Sequence, residues 1–425
     1  MATFTLRHFS SAESLQAVQA KYLMALLDKH AAYFATRGVD FGSFNGHGPD
    51  YEAIAAVLMT PDEQTPSELI DDLYYVDEMA TADAMDGLLE AAAAAGVKLD
   101  VGDEPTPADV AVQVRLRAPA LLEQKHAEHF LLQRRRTFEY FQSPDGVDTK
   151  YRAPGAKKLR ACEDALGIRL EAMKRGRTCK LFVFPRPDGV WFLVRRGDPY
   201  KREGSIEKAK TTSVYYRPEK YDVLKYDEGL GELAINAEGN KKLVALYREL
   251  FGELLFGDPK RFPNTAKYTL APLQDDGADA LICSDVEGID TITLKEVQIL
   301  WGGPQGEIEI RRAKDLFEAL KGRKKELPKG RLVKASFLVK FTDAKTPRTV
   351  TIRPQNIASY TRDSDASVVE AWLTARVRED AHLGGAGCRP CSGCSGRLRR
   401  RPGTARSSLS GRSASARTSR CSSPT

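Results

Sequence analysis

Four carboxylates lie close together near the middle of the chain. Asp222, Asp227, Glu228 and Glu232 occur in the segment "EKYDVLKYDEGLGELAIN", with Lys225 among them. Carboxylates on adjacent strands can hold Mg²⁺, and a nearby lysine can stabilise charge at a reacting phosphate. The set therefore allows a Mg²⁺-dependent nuclease with Mg²⁺ as its cofactor. The same segment also predicts a plain hairpin turn, and the compact acid-x-Lys element of a nuclease is not cleanly present.

A dense block of positive charge is the second chemical signal. Residues 111–220 contain 25 Lys and Arg against 13 Asp and Glu. The block includes the aromatic segment "CKLFVFPRPDGVWFLVRR", and positive charge beside aromatic strands suits phosphate neutralisation and base stacking. We therefore predict a nucleic-acid-binding surface. Its residues are Arg134, Arg135, Arg136, Lys157, Lys158, Arg160, Lys174, Arg175, Arg177, Trp191, Arg195 and Arg196.

The basic block has two other interpretations. Residues 1–110 contain 5 Lys and Arg against 19 Asp and Glu, so the basic residues could pair with this acidic region or with a partner protein. The aromatic side chains alternate along the strands and could belong to the core. The acidic excess has an ordinary cause, because carboxylates in the first turns of helices interact favourably with the helix dipole.

The common catalytic signatures are not found in the sequence. It has no P-loop, G-x-G-x-x-G, G-x-S-x-G or H-E-x-x-H motif. Cys162, Cys179 and Cys283 lack the spacing of a disulfide framework, which favours a reducing compartment. The N-terminus lacks a secretory pattern, and no apolar run is long enough to span a bilayer. We expect a cytoplasmic protein without a membrane partner.

The C-terminal segment differs sharply in composition from the rest of the chain. From about Val377 it consists mostly of Arg, Ser, Gly, Ala, Pro, Thr and Cys, and we expect it to be disordered. Cys388, Cys391 and Cys394 have iron–sulfur-like spacing, with Cys421 as a distant fourth thiolate. A disordered basic tail is the second interpretation. The third is a non-native, frame-shifted origin, which the abrupt change in a GC-rich coding composition favours.

Hydrophobic spacing of helical period predicts that residues 10–140 form short helices. One longer helix is predicted at about 119–142, and another at about 157–175. Three Thr-Pro pairs, beginning at Thr60, Thr65 and Thr106, each predict a helix with Thr as N-cap and Pro at the first helical position.

The period changes to two at residue 179. Residues 179–196 predict a hairpin with a Pro-Asp-Gly turn. Residues 240–255, 312–321 and 365–376 predict helices, and a second hairpin is predicted across "TDAKTP". Further strands are predicted near 212–216, 220–226, 231–236, 279–283, 292–300 and 306–311.

The predicted fold class is therefore α+β, with an acidic all-helical N-terminal region, a mixed α+β body with antiparallel hairpins and a disordered C-terminal tail. We predict a helical domain at 1–142, a basic α+β domain at 143–270, a smaller α+β domain at 271–376 and the tail at 377–425.

These patterns favour a non-catalytic accessory or regulatory protein that binds nucleic acid or a partner protein. A bacterial multi-gene system, such as phage defence, is one setting for such a protein. The alternatives are the Mg²⁺-dependent nuclease and a purely structural protein-interaction component. No cofactor is expected other than the Mg²⁺ of the nuclease alternative.

Overall fold

A computed structural model of the chain describes residues 6–43, 48–102, 104–132, 137–144, 148–207, 210–237, 240–361 and 366–377. The N-terminal part is helical, and its apolar side chains form one core that includes Phe34, Leu73 and Val112. Its α-helices are α1 (Ala12–Gln16), α2 (Ala20–Leu27), α3 (Ala31–Thr36), α4 (Tyr51–Met59), α5 (Ser67–Met79), α6 (Ala82–Ala94), α7 (Pro107–Arg117) and α8 (Pro119–Leu132).

The Thr-Pro pairs have different structural roles. The Thr106 hydroxyl accepts a hydrogen bond from the Asp109 amide at 3.2 Å, which confirms the predicted cap of α7. Thr60 instead follows the last residue of α4, so the helix predicted to begin there is wrong. The Thr65 hydroxyl accepts from the Asp62 amide at 2.8 Å and stabilises a turn before α5. A local hydrogen bond within the loop thus replaces the helix cap at Thr65.

The body is built on an antiparallel sheet of ten strands in the order β2-β3-β6-β7-β1-β12-β11-β10-β8-β9, and β4 pairs with β5 in a separate sheet. The strands are β1 (Thr137–Gln142), β2 (Cys179–Arg186), β3 (Gly189–Gly197), β4 (Lys201–Glu207), β5 (Lys210–Tyr216), β6 (Glu219–Asp227), β7 (Glu232–Asn236), β8 (Ile289–Gly302), β9 (Glu307–Arg312), β10 (Arg331–Phe341), β11 (Arg348–Arg353) and β12 (Ile357–Ser359).

Helices cover both faces of the ten-stranded sheet. On one face, two helices pack on the strands through side chains such as Leu166 and Tyr247, which share a core with Phe192. On the other face, Leu131 of α8 joins Leu193 and Trp372 in a second core. The body helices are α9 (Ala156–Ala172), α10 (Lys241–Phe256), α11 (Ala271–Asp275), α12 (Leu316–Lys321) and α13 (Ala366–Arg376).

The structure corrects two further predicted elements. The helix predicted to reach residue 142 ends at Leu132, and β1 pairs with β7 and β12 in the interior of the sheet. The segment "TFEYFQ" is rich in aromatic residues whose burial alternates along most of its length, so sheet packing outweighs the helical pattern before it. The strand predicted at 279–283 is also wrong, because a 3₁₀-helix occupies Gly277–Leu281.

The mixed α+β fold class is confirmed. One sheet contains strands from all three predicted globular segments, and the division at residues 142 and 270 stays a prediction. The tail predicted from residue 377 lies outside the described residues, apart from Val377. Val377 is buried, and its carbonyl accepts a hydrogen bond from the Thr269 amide at 2.7 Å.

Helix α9 approaches the start of β2 closely at Gly167. A Cβ at this position would lie 2.3 Å from the carbonyl oxygen of Arg177. Alanine normally stabilises a helix by about 1 kcal/mol relative to glycine. We nevertheless expect Gly167→Ala to lower the free energy of unfolding by about 1–3 kcal/mol, as overpacked sites do.

Urea denaturation followed by circular dichroism would measure this effect. Gly87→Ala in α6 is the matched control, because the nearest atom to its added Cβ would be the Lys125 Nζ at 4.0 Å. We expect Gly87→Ala to leave stability unchanged or raise it. Equal changes in the two variants would contradict the proposed close approach.

Candidate nucleic-acid interface

The most exposed regular element of the body is the two-stranded sheet formed by β4 and β5, here called the ribbon. It is inserted between β3 and β6 and pairs from Lys201↔Tyr216 at its base to Glu207↔Lys210 at its tip. None of its described side chains is buried, and Ile206 and Tyr215 are 81% and 68% exposed. Seven residues per strand give the ribbon a length of about 23 Å.

The two faces of the ribbon differ in chemistry. Arg202 lies opposite Tyr215, and both side chains share a face with Ile206 near the tip. On the other face, the Tyr216 hydroxyl donates to Glu203 Oε1 at 2.9 Å. Residues 200–217 contain five Lys and Arg against two Glu. The ribbon therefore combines exposed rings with a net positive charge.

Arginine and backbone contacts fix the base of the ribbon to the end of α9. The Arg217 guanidinium lies 4.2 Å from the ring centroid of Tyr200. Its Nη1 donates to the Lys174 carbonyl at 2.7 Å. Lys174 has a φ of +61°, a left-handed conformation that turns the chain after α9. Arg175 follows it and is paired with Asp198. Two predicted basic residues thus lie beside the base of the ribbon.

A cleft of about 250 Å³ opens at this base. We call it the root cleft and define it by its cationic lining. Glu219 also lines it, and the carboxylates of Glu123, Asp198 and Asp222 pair with its cations. The positive charge of the cleft is therefore largely balanced within the chain. The cationic lining residues are Arg175, Lys180, Arg195, Arg196 and Arg217.

Arg195 and Arg196 point to opposite faces of the sheet. Arg196 is buried and forms a bidentate pair with Asp222, at 2.5 Å from Nε to Oδ2 and 3.1 Å from Nη2 to Oδ1. Arg195 faces α8, where its Nη2 lies 2.7 Å from Glu123 Oε1. Adjacent residues in a strand alternate in this way, so these two arginines cannot act as one phosphate clamp.

Helix α8 joins the acidic helical region to the basic hairpin β2–β3. Lys180 and Arg195 both pair with Glu123, and Arg186 Nη2 lies 3.1 Å from Glu128 Oε1. Burial raises the pKa of Glu123, but the hydrogen bond from Lys180 and the charge of Arg195 outweigh it and leave the pKa below its ordinary value. This part of the basic block therefore forms ion pairs with carboxylates of the same chain.

The other predicted basic residues fall into two exposed groups. Lys157, Lys158 and Arg160 lie at the N-terminal end of α9, whereas Lys174 and Arg177 lie just beyond its C-terminal end. The twelve helical residues 161–172 lie between the two groups, a distance of about 18 Å along the axis. Only the second group adjoins the ribbon. Arg134, Arg135 and Arg136 lie outside the described residues.

Trp191 is oriented by contacts inside the protein. Its indole Nε1 donates to Asp188 Oδ1 at 3.0 Å, and its ring meets Phe138 edge-on at a centroid distance of 6.2 Å. The Lys225 ammonium lies 5.6 Å from its centroid. These contacts match the core interpretation of the aromatic strands more closely than an open base-stacking surface.

The structure divides the four predicted metal ligands between the two faces of the sheet. Asp222 is buried with Arg196, and Tyr247 donates to its Oδ2 at 2.6 Å. Asp227 and Glu232 are opposite each other on β6 and β7 and project from the other face. Lys267 Nζ donates to Glu232 Oε1 at 2.6 Å.

The remaining contacts match a hairpin turn. Asp227 Oδ1 accepts from the Leu230 amide at 3.0 Å, and Glu228 is exposed within the turn. Across the described parts of the chain, no group of three or more His, Cys, Asp or Glu side chains could hold a metal ion. The four carboxylates are therefore not brought together into one site.

The ribbon was not predicted as a unit. Only a strand near 212–216 was predicted, because Gly204 and four charged residues weaken the strand pattern of "KREGSIE". The ribbon could have been recognised from the cluster of polar and charged residues between β3 and β6, two strands that pair with each other.

No protein-family model matches the chain, and no curated protein matches it. Among the described residues, no helix is long and apolar enough to cross a membrane.

Proposed function

We propose that this protein is a non-catalytic accessory protein that binds double-stranded DNA through the ribbon and the cations at its base. The observation that carries the proposal is the exposed ribbon, whose residues 200–217 are net positive and display Arg202 and Tyr215 side by side. A protruding two-stranded sheet without buried side chains contributes little to a core, so its exposed rings and charges are best explained by a partner.

Shape favours duplex DNA over other nucleic acids. The major groove of B-form DNA admits a two-stranded ribbon, whereas the major groove of A-form RNA is too deep and narrow for side chains to read. With the ribbon in the groove, Lys174 and Arg177 at its base would contact the phosphate backbone. Ile206 and Tyr215 would contact the bases.

The charge pattern of the chain supports this assignment within the basic block. Lys180, Arg186, Arg195 and Arg196 already pair with carboxylates of the same chain. The exposed cations beside and on the ribbon remain suited to phosphate. Lys157, Lys158 and Arg160 are exposed as well, but they lie at the far end of α9, away from the exposed rings of the ribbon. A polyanion is therefore a better match for this surface than an acidic patch of another protein, since a groove also accommodates the exposed rings.

The test compares two full-length double variants by fluorescence anisotropy with a labelled 25-base-pair DNA duplex over a series of salt concentrations. Lys201→Glu with Arg202→Glu reverses charge on the ribbon, and Lys157→Glu with Lys158→Glu makes the same change at the far end of α9. We expect the ribbon variant to lose at least about tenfold in affinity and its salt slope to fall by about 2, because each phosphate contact contributes roughly 0.9. The α9 variant should stay within about threefold of wild type.

Residues 377–425 contain 10 Lys and Arg against 2 Asp and Glu and would attract any polyanion, which is why both variants keep them. Equal losses in the two variants would contradict a role for the ribbon. Absence of duplex binding by the wild-type protein would favour a protein partner instead. Cleavage that requires Mg²⁺ would contradict the non-catalytic assignment.

A further inference from the structure

The two edges of the ten-stranded sheet differ in how they are covered. At the β2 edge, a side chain of helix α9 binds a backbone group of the strand, since the Leu181 amide donates to Glu163 Oε1 at 2.8 Å. At the β9 edge, no strand among the described residues pairs with the outer side. Ile308 and Ile310 are 54% and 56% exposed there. An uncovered edge with exposed apolar side chains is a template for pairing with another strand.

The ladder between β8 and β9 determines which backbone groups point outward. The Ala313 amide donates to the Lys295 carbonyl at 3.0 Å, and the register continues through Arg311↔Val297. Hydrogen-bonded pairs alternate along an antiparallel ladder, so Glu309, Arg311 and Ala313 bond inward. The N–H and C=O groups of Ile308, Ile310 and Arg312 therefore point away from the sheet.

The charge order of β9 is self-complementary in an antiparallel arrangement. The strand reads "EIEIRR", with acids in its first half and arginines in its second. Side chains directly opposite each other interact most strongly in non-hydrogen-bonded pairs, and like charges there are destabilising. A strand of this order repels a parallel copy of itself and matches an antiparallel one.

Only one symmetric register satisfies both the backbone and the charges. A two-fold axis at Glu309 would place Glu309 opposite Glu309 of the second copy, and an axis at Arg311 would oppose two arginines. With an axis at Ile310, the outward-pointing N–H and C=O groups of Ile310 in the two copies form hydrogen bonds with each other. The same axis places Glu309 of each copy opposite Arg311 of the other. It also places Ile308 opposite Arg312.

We propose that two copies of this chain associate through antiparallel pairing of their β9 strands, with Ile310 on the two-fold axis and Glu309 paired with Arg311 across it. The side chains of Glu309 and Arg311 are already held in place by hydrogen bonds within each copy. Arg311 Nε donates to Glu309 Oε1 at 2.6 Å, and the Trp301 indole donates to Glu309 Oε2 at 2.9 Å. Because each strand has only six residues, the contact is smaller than a standard interface and the dimer should dissociate on dilution.

Sedimentation velocity over a concentration series, with full-length protein under reducing conditions, would measure the association. We expect a monomer–dimer equilibrium for the wild-type chain. In a dimer of the Glu309→Arg variant, arginine faces arginine at both 309–311 positions across the axis. In a dimer of the Arg311→Glu variant, glutamate faces glutamate at both. Each variant alone should therefore weaken the dimer by at least about tenfold. Glu203→Arg, the same change on the exposed strand β4, should leave the dimer unchanged.

Mixing the two variants is the decisive experiment. One copy then carries arginine at both positions 309 and 311, and the other carries glutamate at both, so every pair across the axis has opposite charges. We expect an equimolar mixture to recover dimers. A mixture that remains monomeric would overturn the proposal, as would a wild-type chain that stays monomeric at every concentration. Circular dichroism would check that each variant is folded.

Discussion

Replacing Asp222 with alanine is expected to lower the free energy of unfolding by about 3–5 kcal/mol. The carboxylate is fully buried and accepts hydrogen bonds from Arg196 Nε and Nη2 and from the Tyr247 hydroxyl. Alanine would leave the guanidinium of Arg196 buried without its principal counter-ion. Removal of one member of a buried ion pair is costly because the remaining charge stays desolvated.

Urea unfolding followed by tryptophan fluorescence would measure this loss. The control is Asp227→Ala, which removes a partly exposed turn carboxylate and should cost less than about 1 kcal/mol. A double change of Asp222→Leu with Arg196→Met should recover much of the stability, since it replaces both charges with apolar groups. An Asp222→Ala protein as stable as wild type would show that the pair is not a structural element.

This expectation changes how the nuclease alternative must be tested. Loss of activity in Asp222→Ala would follow from unfolding whether or not the protein has a catalytic site. Asp227 and Glu232 share the face of the sheet opposite Asp222, so they are the informative positions. Of these, Asp227 is preferable because Glu232 is buried and pairs with Lys267.

Acidification from pH 6.5 to pH 4 is expected to cost about 3 kcal/mol of stability through His126. His126 is buried between Tyr74 and Tyr75, whose ring centroids lie 5.6 Å and 5.0 Å away. Burial lowers the pKa of His126 to about 4, and the charges of His129 and Arg195 act in the same direction. Glu123 acts in the opposite direction.

The sign follows from the two states. In the unfolded chain the imidazole binds a proton near pH 6.5, whereas in the folded protein it does so only near pH 4. The unfolded state therefore binds more protons between these values, and stability rises with pH across the window. The contribution is complete above about pH 6.5 and is lost as the pH falls toward 4.

Chemical denaturation at pH 7 and at pH 4.5 would measure this difference. In His126→Phe, which keeps an aromatic ring between the two tyrosines, the difference should shrink by about 2 kcal/mol or more. His129→Gln removes the neighbouring imidazole and should retain most of the pH dependence. A His126→Phe protein with the wild-type pH dependence would place the titration elsewhere. Hydrogen bonds from Lys334 and Arg312 lower the pKa of Glu296 to about 2, so its contribution to stability is lost mainly below pH 4.5, under both pH values of this comparison.

Local patterns predicted many elements because their signals lie within a few residues. The hairpin β2–β3 is present, with residues 187–188 between its strands, and α9, α10 and the hairpin β10–β11 lie close to their predicted positions. The misassigned segment at 137–142 follows a helix without a clear stop signal. Its strand forms because β7 and β12 offer partners on both sides, which no local pattern reveals.

The candidate interface was harder to predict from the sequence than the fold. The positive block is contiguous in sequence, but its members are distributed over both faces of the sheet and both ends of α9. Arg196 and Asp222 are separated by 26 positions, and the register of β3 with β6 makes them diagonal neighbours on one face of the sheet. Among the described residues of the block, the ribbon and the two ends of α9 leave several basic residues exposed together.

Strand β1 also has a consequence during synthesis on the ribosome. It is the first of the described strands to emerge, yet one of its two neighbours is β12, and Thr137 and Ser359 are 222 positions apart. At about 5–20 residues per second, on the order of ten seconds or more of translation separates them. Until then, the nascent chain holds an open backbone edge in what becomes the middle of its sheet.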